Sequence, residues 1–220
     1  MNIFNNDYDA TRLISYWNNY YKEKKIVLPN SDFSTFCLKL INNNESLIDI
    51  GCGDGRDSLF FSKSGIFITG IDFSNDAIEI NKHLEHEFLK FLVLNLKDIH
   101  KFNKSYDNAY CRFLFHAVSE EIEEKILNWI KTNIKKKTFI ETRIEDSFSS
   151  TIKQTHYRRY FHKEKFIKKI EDMGFNILYS KTSKNFSKYE SMYQVDDLNE
   201  DPLLLRLLIE SQWKIYLLLN

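Results

Sequence analysis

Proline is nearly absent: Pro29 and Pro202 are the two in 220 residues, and no Pro/Gly linker, internal repeat or low-complexity tract breaks the chain. One domain spanning 1–220 is therefore expected. Neither sign of charge is in excess. The 31 Lys and Arg residues balance 31 Asp and Glu, which argues against a protein that coats DNA, since such proteins are basic overall. No apolar run approaches the roughly 20 residues needed to cross a bilayer. Residues Met1 to Asp7 carry neither a basic start nor an apolar stretch, so they do not read as a secretion signal. The three cysteines, Cys37, Cys52 and Cys111, lack both the Cys-x-x-Cys pairs of a structural zinc site and the even number of a disulfide framework. His83 and His86 share a helical face with no further ligand near them in sequence, so no metal is expected. The expectation is a soluble, cytoplasmic protein without a membrane partner, and 43% hydrophobic content at this length excludes wholesale disorder.

What is present is a regular alternation of strands and helices. The first forty residues are aromatic and read as helical, with Tyr16, Trp17, Tyr20 and Tyr21 on neighbouring turns. Ser46 to Ile50 is a short apolar strand, followed by Gly51-Cys52-Gly53-Asp54-Gly55 and a helix from Arg56 to Ser64 closed by Gly65. Ile66 to Asp72 is a second strand, and Ser74 caps the helix that carries Ala77, Ile78 and Ile80. Further strands are read at 91–94, 108–113, 137–141 and 175–180, with helices at about 120–132 and 166–173. Such alternation implies parallel pairing with right-handed crossovers. The tail from Leu203 to Leu208 is compatible with a helix begun by Asp201-Pro202 or with a final strand.

The glycine loop carries the chemistry. Glycines directly after a buried strand let a ligand lie against bare backbone at a helix amino terminus. About twenty residues on, Asp72 stands at the tip of the second strand, where a carboxylate accepts hydrogen bonds from both ribose hydroxyls of an adenosine. The two halves together indicate a nucleoside-bearing cofactor. The spacing Gly51-x-Gly53-x-Gly55 departs from the dinucleotide G-x-G-x-x-G pattern, and no P-loop sequence exists.

The segments Leu-Ile-Asp-Ile-Gly-Cys-Gly-Asp-Gly-Arg-Asp (47–57) and Thr-Gly-Ile-Asp-Phe-Ser (69–74) resemble the class I S-adenosylmethionine-dependent methyltransferases, with Tyr106 to His116 similar to that family's fourth strand. The resemblance implies an α/β, Rossmann-like, seven-stranded and mostly parallel sheet with helices on both faces and an antiparallel last strand, which would make the tail a strand. It also implies S-adenosylmethionine as cofactor and S-adenosylhomocysteine as product. Gly51, Gly53 and Gly55 would approach the methionine and ribose, Asp72 the ribose hydroxyls, and Phe73 the adenine. Asn95 stands where the family places an acid beside the adenine amine, and can still accept through its amide oxygen; Leu96 follows it, and Arg112 borders the transfer site. Gly-Arg56-Asp57 resembles a small-molecule subgroup that also carries an aromatic helix ahead of the sheet. Residues 1–45 would then form a helical lid over a 46–220 core, with Trp17 and Tyr21 on the cofactor and Tyr20 on the acceptor; core packing is the other reading of these aromatics.

The Asn/Asp-Pro-Pro-Tyr marker of adenine or glutamine amine methylation is absent near Arg112 to Val118. His116 stands there instead, either as a general base for an attacking hydroxyl or as a merely hydrogen-bonded buried histidine. Glu141 and Arg143 follow the fifth strand, and His156, Arg158 and Arg159 follow later. Paired arginines suit an anionic small molecule, phosphorylated or nucleotide-linked, or else form a solvated basic face. The reading is O-methylation of a small anionic acceptor in surface-glycan precursor synthesis, the context coming from resemblance. RNA methylation, a non-catalytic cofactor binder and a nucleotide-dependent dehydrogenase are the rivals.

Overall fold

The computed structural model describes residues 10–23, 28–145, 157–159, 161–187 and 202–212. His156 lies outside the described residues. Two helices, α1 (Ala10–Glu23) and α2 (Asp32–Leu38), precede the sheet. The chain then alternates through β1 (Ser46–Ile50), α3 (Arg56–Lys63), β2 (Phe67–Asp72), α4 (Asn75–Asn81), β3 (Leu89–Val93), β4 (Asn108–Arg112), α5 (Glu120–Asn133), β5 (Thr138–Arg143), α6 (Lys163–Asp172), β6 (Phe175–Ser183) and β7 (Leu204–Ser211). The seven strands form one sheet in the order β3-β2-β1-β4-β5-β7-β6. β1 to β5 pair in parallel, whereas β7 lies antiparallel between β5 and β6.

Burial follows position in the sheet. Every residue of β5 is buried, and seven of the eight in β7, because helices cover both faces there. On one face, Phe33 of α2, Phe61 of α3 and Ile78 of α4 pack with Leu47, Tyr110 and Phe139. On the other, Ile122, Ile126, Leu127 and Ile130 of α5 and Phe166 and Ile170 of α6 pack with Ile48, Ile50 and Ile140. Serine hydroxyls begin three helices: those of Ser31, Ser74 and Ser119 accept from the backbone N–H of Ser34, Ala77 and Ile122. Glu120, Glu121 and Glu123 suit the positive end of α5.

The tail is a strand. Its apolar run fits either structure locally, but the slot between β5 and β6 satisfies its backbone on both sides and buries nearly all of it. Among the described residues, no helix is long and apolar enough to cross a membrane, and no three His, Cys, Asp or Glu side chains converge as a metal site.

Candidate active site

Because β1, β2, β4 and β5 run in parallel, their carboxyl ends open on one edge of the sheet, where ligands of such sheets collect. A cavity of about 280 Å³ lies along that edge. It runs from Phe73 and Asn95, beyond β2 and β3, past the glycine loop after β1, to Arg112 and Arg143 at the ends of β4 and β5.

The glycine loop is held tightly. Gly51 and Cys52 donate their N–H groups to the Ile71 carbonyl at 2.8 and 3.0 Å. Gly53 donates to Asp72 Oδ2 at 3.0 Å, and Asn81 Nδ2 grips the Gly53 carbonyl at 2.7 Å. Gly53 has φ +53°, and a Cβ there would collide with the Tyr21 hydroxyl, so only glycine fits. Gly55 has a different task. It caps α3 at φ +69°, a Cβ on it would meet the Phe91 ring at 2.8 Å, and it does not line the cavity. Its bare Cα allows close packing of helix on sheet.

Asp72 is 6% exposed, and its oxygens accept backbone N–H groups, Oδ2 from Gly53 and Oδ1 from Ser74 at 2.9 Å, with the Phe73 N–H also favouring the anion. Burial pushes its carboxyl up, against the N–H bonds that favour the anion. A carboxylate has about four lone-pair sites, so further acceptor capacity remains for the cavity it lines. Asp49, which the sequence reading passed over, also lines the cavity. Burial pushes it up to about 8; the Ser58 hydroxyl, donating to Oδ2 at 2.6 Å, opposes the shift, and the charges of Asp57, Asp72 and Asp54 add to it. The only hint in sequence was an acid inside an apolar strand. Asp57 is structural: it accepts from Ser31 N at 2.6 Å, Ser31 Oγ at 2.8 Å and Tyr110 Oη at 2.7 Å, tying the segment before α2 to the sheet.

Helix α1 roofs the cavity with Tyr16, Trp17, Tyr20 and Tyr21. Trp17 stacks on Tyr21 at 5.9 Å, and Ser74 Oγ donates to Asn18 at 2.6 Å, fixing the helix over α4. Burial, with Asp72 and Asp54 close by, pushes the Tyr21 hydroxyl well up, so it stays a donor. Phe73, Leu96 and Arg56 also line the cavity, and Arg56 reaches the Pro29 carbonyl at 3.2 Å. Asn95 lines it too, although its amide oxygen already accepts from Lys97 N at 3.1 Å.

At the far end the expected acceptor residues divide. Arg112, Arg143, Arg158 and His116 line the cavity. Glu141 does not: it is 1% exposed and is bridged by Arg112 Nε at 2.9 Å and Arg206 Nε at 2.5 Å. Its expected role as a substrate contact is corrected to holding Arg112. Arg158 and Arg159 serve different ends, since only Arg158 lines the cavity. Arg159 donates to buried Glu123 and to the Phe115 carbonyl, and its backbone N–H donates to the His116 carbonyl at 2.7 Å. It anchors the turn that carries His116.

His116 is 5% exposed, and its Nδ1 lies 3.3 Å from the backbone N of Arg143 and 3.2 Å from Thr142 Oγ1. A backbone N–H can only donate, so Nδ1 is the acceptor and the neutral ring carries its proton on Nε2. A flipped ring would set a C–H against that N–H. In this tautomer the ring presents Nε2–H as a donor to the cavity, whereas a general base would need the Nδ1–H tautomer.

The model of a family described as "Methyltransferase domain" matches residues 21–179. The chain belongs to this family. Its fold is that of the class I S-adenosylmethionine-dependent methyltransferases, and S-adenosylmethionine is its cofactor. The residues fit that group: bare glycine backbone, a buried carboxylate with spare acceptor capacity, further acids that complement a cationic cofactor, and aromatic walls.

Solved methyltransferases share the fold at low identity. Geranyl diphosphate C-methyltransferase from Streptomyces coelicolor A3(2), seen with Mg2+, geranyl diphosphate and S-adenosyl-L-homocysteine, has TM-score 0.71 at 9% identity over 92% of this chain and 100% of its own. A SAM-dependent methyltransferase from Anabaena variabilis has TM-score 0.67 at 17% identity over 93% and 96%. The 1,6-didemethyltoxoflavin-N1-methyltransferase of Burkholderia thailandensis, with its substrate and S-adenosylhomocysteine, has TM-score 0.67 at 14% identity over 92% and 88%. No curated protein matches this methyltransferase in sequence.

Proposed function

We propose that this methyltransferase moves the methyl group to an oxygen of a small anionic acceptor. The observation that carries the reading is the polarity of the cavity. Asp49, Asp54, Asp57 and Asp72 line its glycine-loop side, whereas Arg112, Arg143 and Arg158, from three separate segments, line the β4–β5 end. When bound, S-adenosylmethionine supplies a methyl group already activated by its sulfonium. The protein's part is then to align the acceptor, exclude water and manage charge. The arginines bind the anion, α1 shields the cavity, and His116 donates a hydrogen bond from Nε2–H. With no base in His116, the fitting nucleophile is an oxygen that ionises unaided, such as a carboxylate, phosphate or acidic hydroxyl. Phosphorylated or nucleotide-linked precursors of surface glycans bear such groups and are the acceptor class we favour.

The test is to incubate the protein with methyl-tritiated cofactor and an extract of the source cells, then fractionate. Label in the small-molecule fraction retained by an anion exchanger supports the reading. Label in RNA supports the nucleic-acid alternative, and label in no fraction supports a non-catalytic binder.

Two outcomes follow from the side chains. Replacing Arg158 by glutamine is expected to raise the acceptor's KM about tenfold or more with kcat nearly kept, because it binds ground and transition states alike. Arg159→Gln is expected instead to lower the melting temperature, since it breaks an ion pair with a Glu123 that is 1% exposed. Steady-state kinetics and thermal unfolding on both variants separate the two.

Asp49 makes binding sensitive to pH. With its carboxyl raised from the ordinary 3.8 to about 8, it is protonated at pH 7. The folded state therefore holds a proton that the unfolded state has lost, and this group's contribution to stability falls as pH rises from about 4 to about 8. A cationic cofactor favours the ionised form, so its binding at pH 7 is expected to release a proton. Calorimetric enthalpies in buffers of different ionisation heat check this; identical enthalpies would exclude it.

A further inference from the structure

We propose that Phe113 is a specificity-determining residue: its ring holds Arg112 and Arg143 as a paired guanidinium clamp for one oxyanion group of the acceptor. This rests on the anionic-acceptor reading above. Phe113 is the first residue beyond β4, and its N–H still donates to the Glu141 carbonyl at 2.8 Å. It then turns the chain with φ +54°. For a bulky aromatic residue the left-handed region is a genuine outlier. Glycine or asparagine would sit there with less strain, and strain of this kind persists where the surroundings enforce it, most often at functional sites.

What the strain achieves is the placement of the ring. The ring lines the cavity, with the Arg112 guanidinium 4.2 Å from its centroid, that of Arg143 at 5.8 Å, and His116 edge-on at 5.6 Å. Arg112 and Arg143 come from the ends of adjacent strands and repel each other. The negative face of an aromatic ring attracts both, and Glu141 holds Arg112 from behind through Nε. Two forks held in this way suit the paired oxygens of a phosphate or carboxylate.

The test uses inorganic phosphate as the probe, titrated calorimetrically into the full-length protein saturated with S-adenosylhomocysteine. Phe113→Gly is expected to weaken phosphate binding about tenfold, the scale of lost cation–π contacts. Its affinity for S-adenosylhomocysteine should stay within about twofold, and its melting temperature within about 3 °C, because relief of the left-handed strain offsets the lost ring burial. Phe113→Tyr keeps the ring and should keep phosphate binding. A purely structural role would lower the melting temperature and both affinities together, and would overturn the proposal. Phosphate that binds wild type and Phe113→Gly alike, but fails to bind Arg158→Gln, overturns the clamp and leaves the anionic acceptor standing. Wild-type protein that ignores phosphate overturns both.

Discussion

Asp72→Asn is expected to lower S-adenosylmethionine affinity by roughly 10–10²-fold. One of two charge-assisted bonds to the ribose is lost, at about 1.5–3 kcal/mol, which is converted at about 1.4 kcal/mol per decade. Asparagine is the better probe than alanine here. Asp72 is buried, and its oxygens also receive the N–H groups of Gly53 and Ser74. Alanine would leave both donors unsatisfied and blur a binding loss with local unfolding, whereas asparagine keeps the shape and one acceptor oxygen. Calorimetry should show the loss, and the melting temperature of the cofactor-free protein should fall less than for alanine, because one of the two backbone donors keeps its acceptor. An unchanged affinity would remove Asp72 from the site.

Glu141→Leu is expected to cost stability more than any other single change discussed. The carboxylate is 1% exposed between Arg112 and Arg206, and Arg206 is itself buried against Phe33. Removing the shared partner leaves two guanidinium groups facing each other in the interior, a change of about 3–5 kcal/mol for a broken buried pair. For a chain of this size that corresponds to a fall in melting temperature of roughly 6–20 °C. Glu141→Gln keeps acceptor oxygen and shape, so its loss should be smaller. A Glu141→Leu protein melting within about 2 °C of wild type would show that the two arginines do not depend on this carboxylate.

Much of the framework was legible because it is written in short-range signals. Glycines after an apolar strand, a serine before a helix and an acid about twenty residues on are local patterns, and β1, α3, β2, α4 and Asp72 stand where they predict. The tail was ambiguous because Leu203 to Ile209 suits helix and strand equally; the vacant slot between β5 and β6 decides it, and a slot is a tertiary fact. Side-chain direction was the larger difficulty. Arg158 and Arg159 are neighbours of one chemistry, yet one lines the cavity and the other serves Glu123. Glu141 and Arg143 read alike as strand-end contacts and, two residues apart, share a face of β5. Glu141 lies one step further inside the sheet, where Arg112 and Arg206 of the flanking strands hold it, and only Arg143 at the strand end lines the cavity. The tautomer of His116 depends on the backbone N–H of Arg143, twenty-seven residues away. The left-handed turn at Phe113 has no local signature, because sequence statistics put glycine or asparagine at such positions.

The central claim is that one cavity holds the cofactor on its acidic side and the acceptor on its arginine side. A crystal structure with S-adenosylhomocysteine tests it most directly. The account predicts the ribose hydroxyls within hydrogen-bond distance of the Asp72 carboxylate, the adenine beside Phe73 and Asn95, and the sulfur facing the end lined by Arg112, His116 and Arg143. A product molecule bound elsewhere, or lying in this cavity with its ribose away from Asp72, would contradict it.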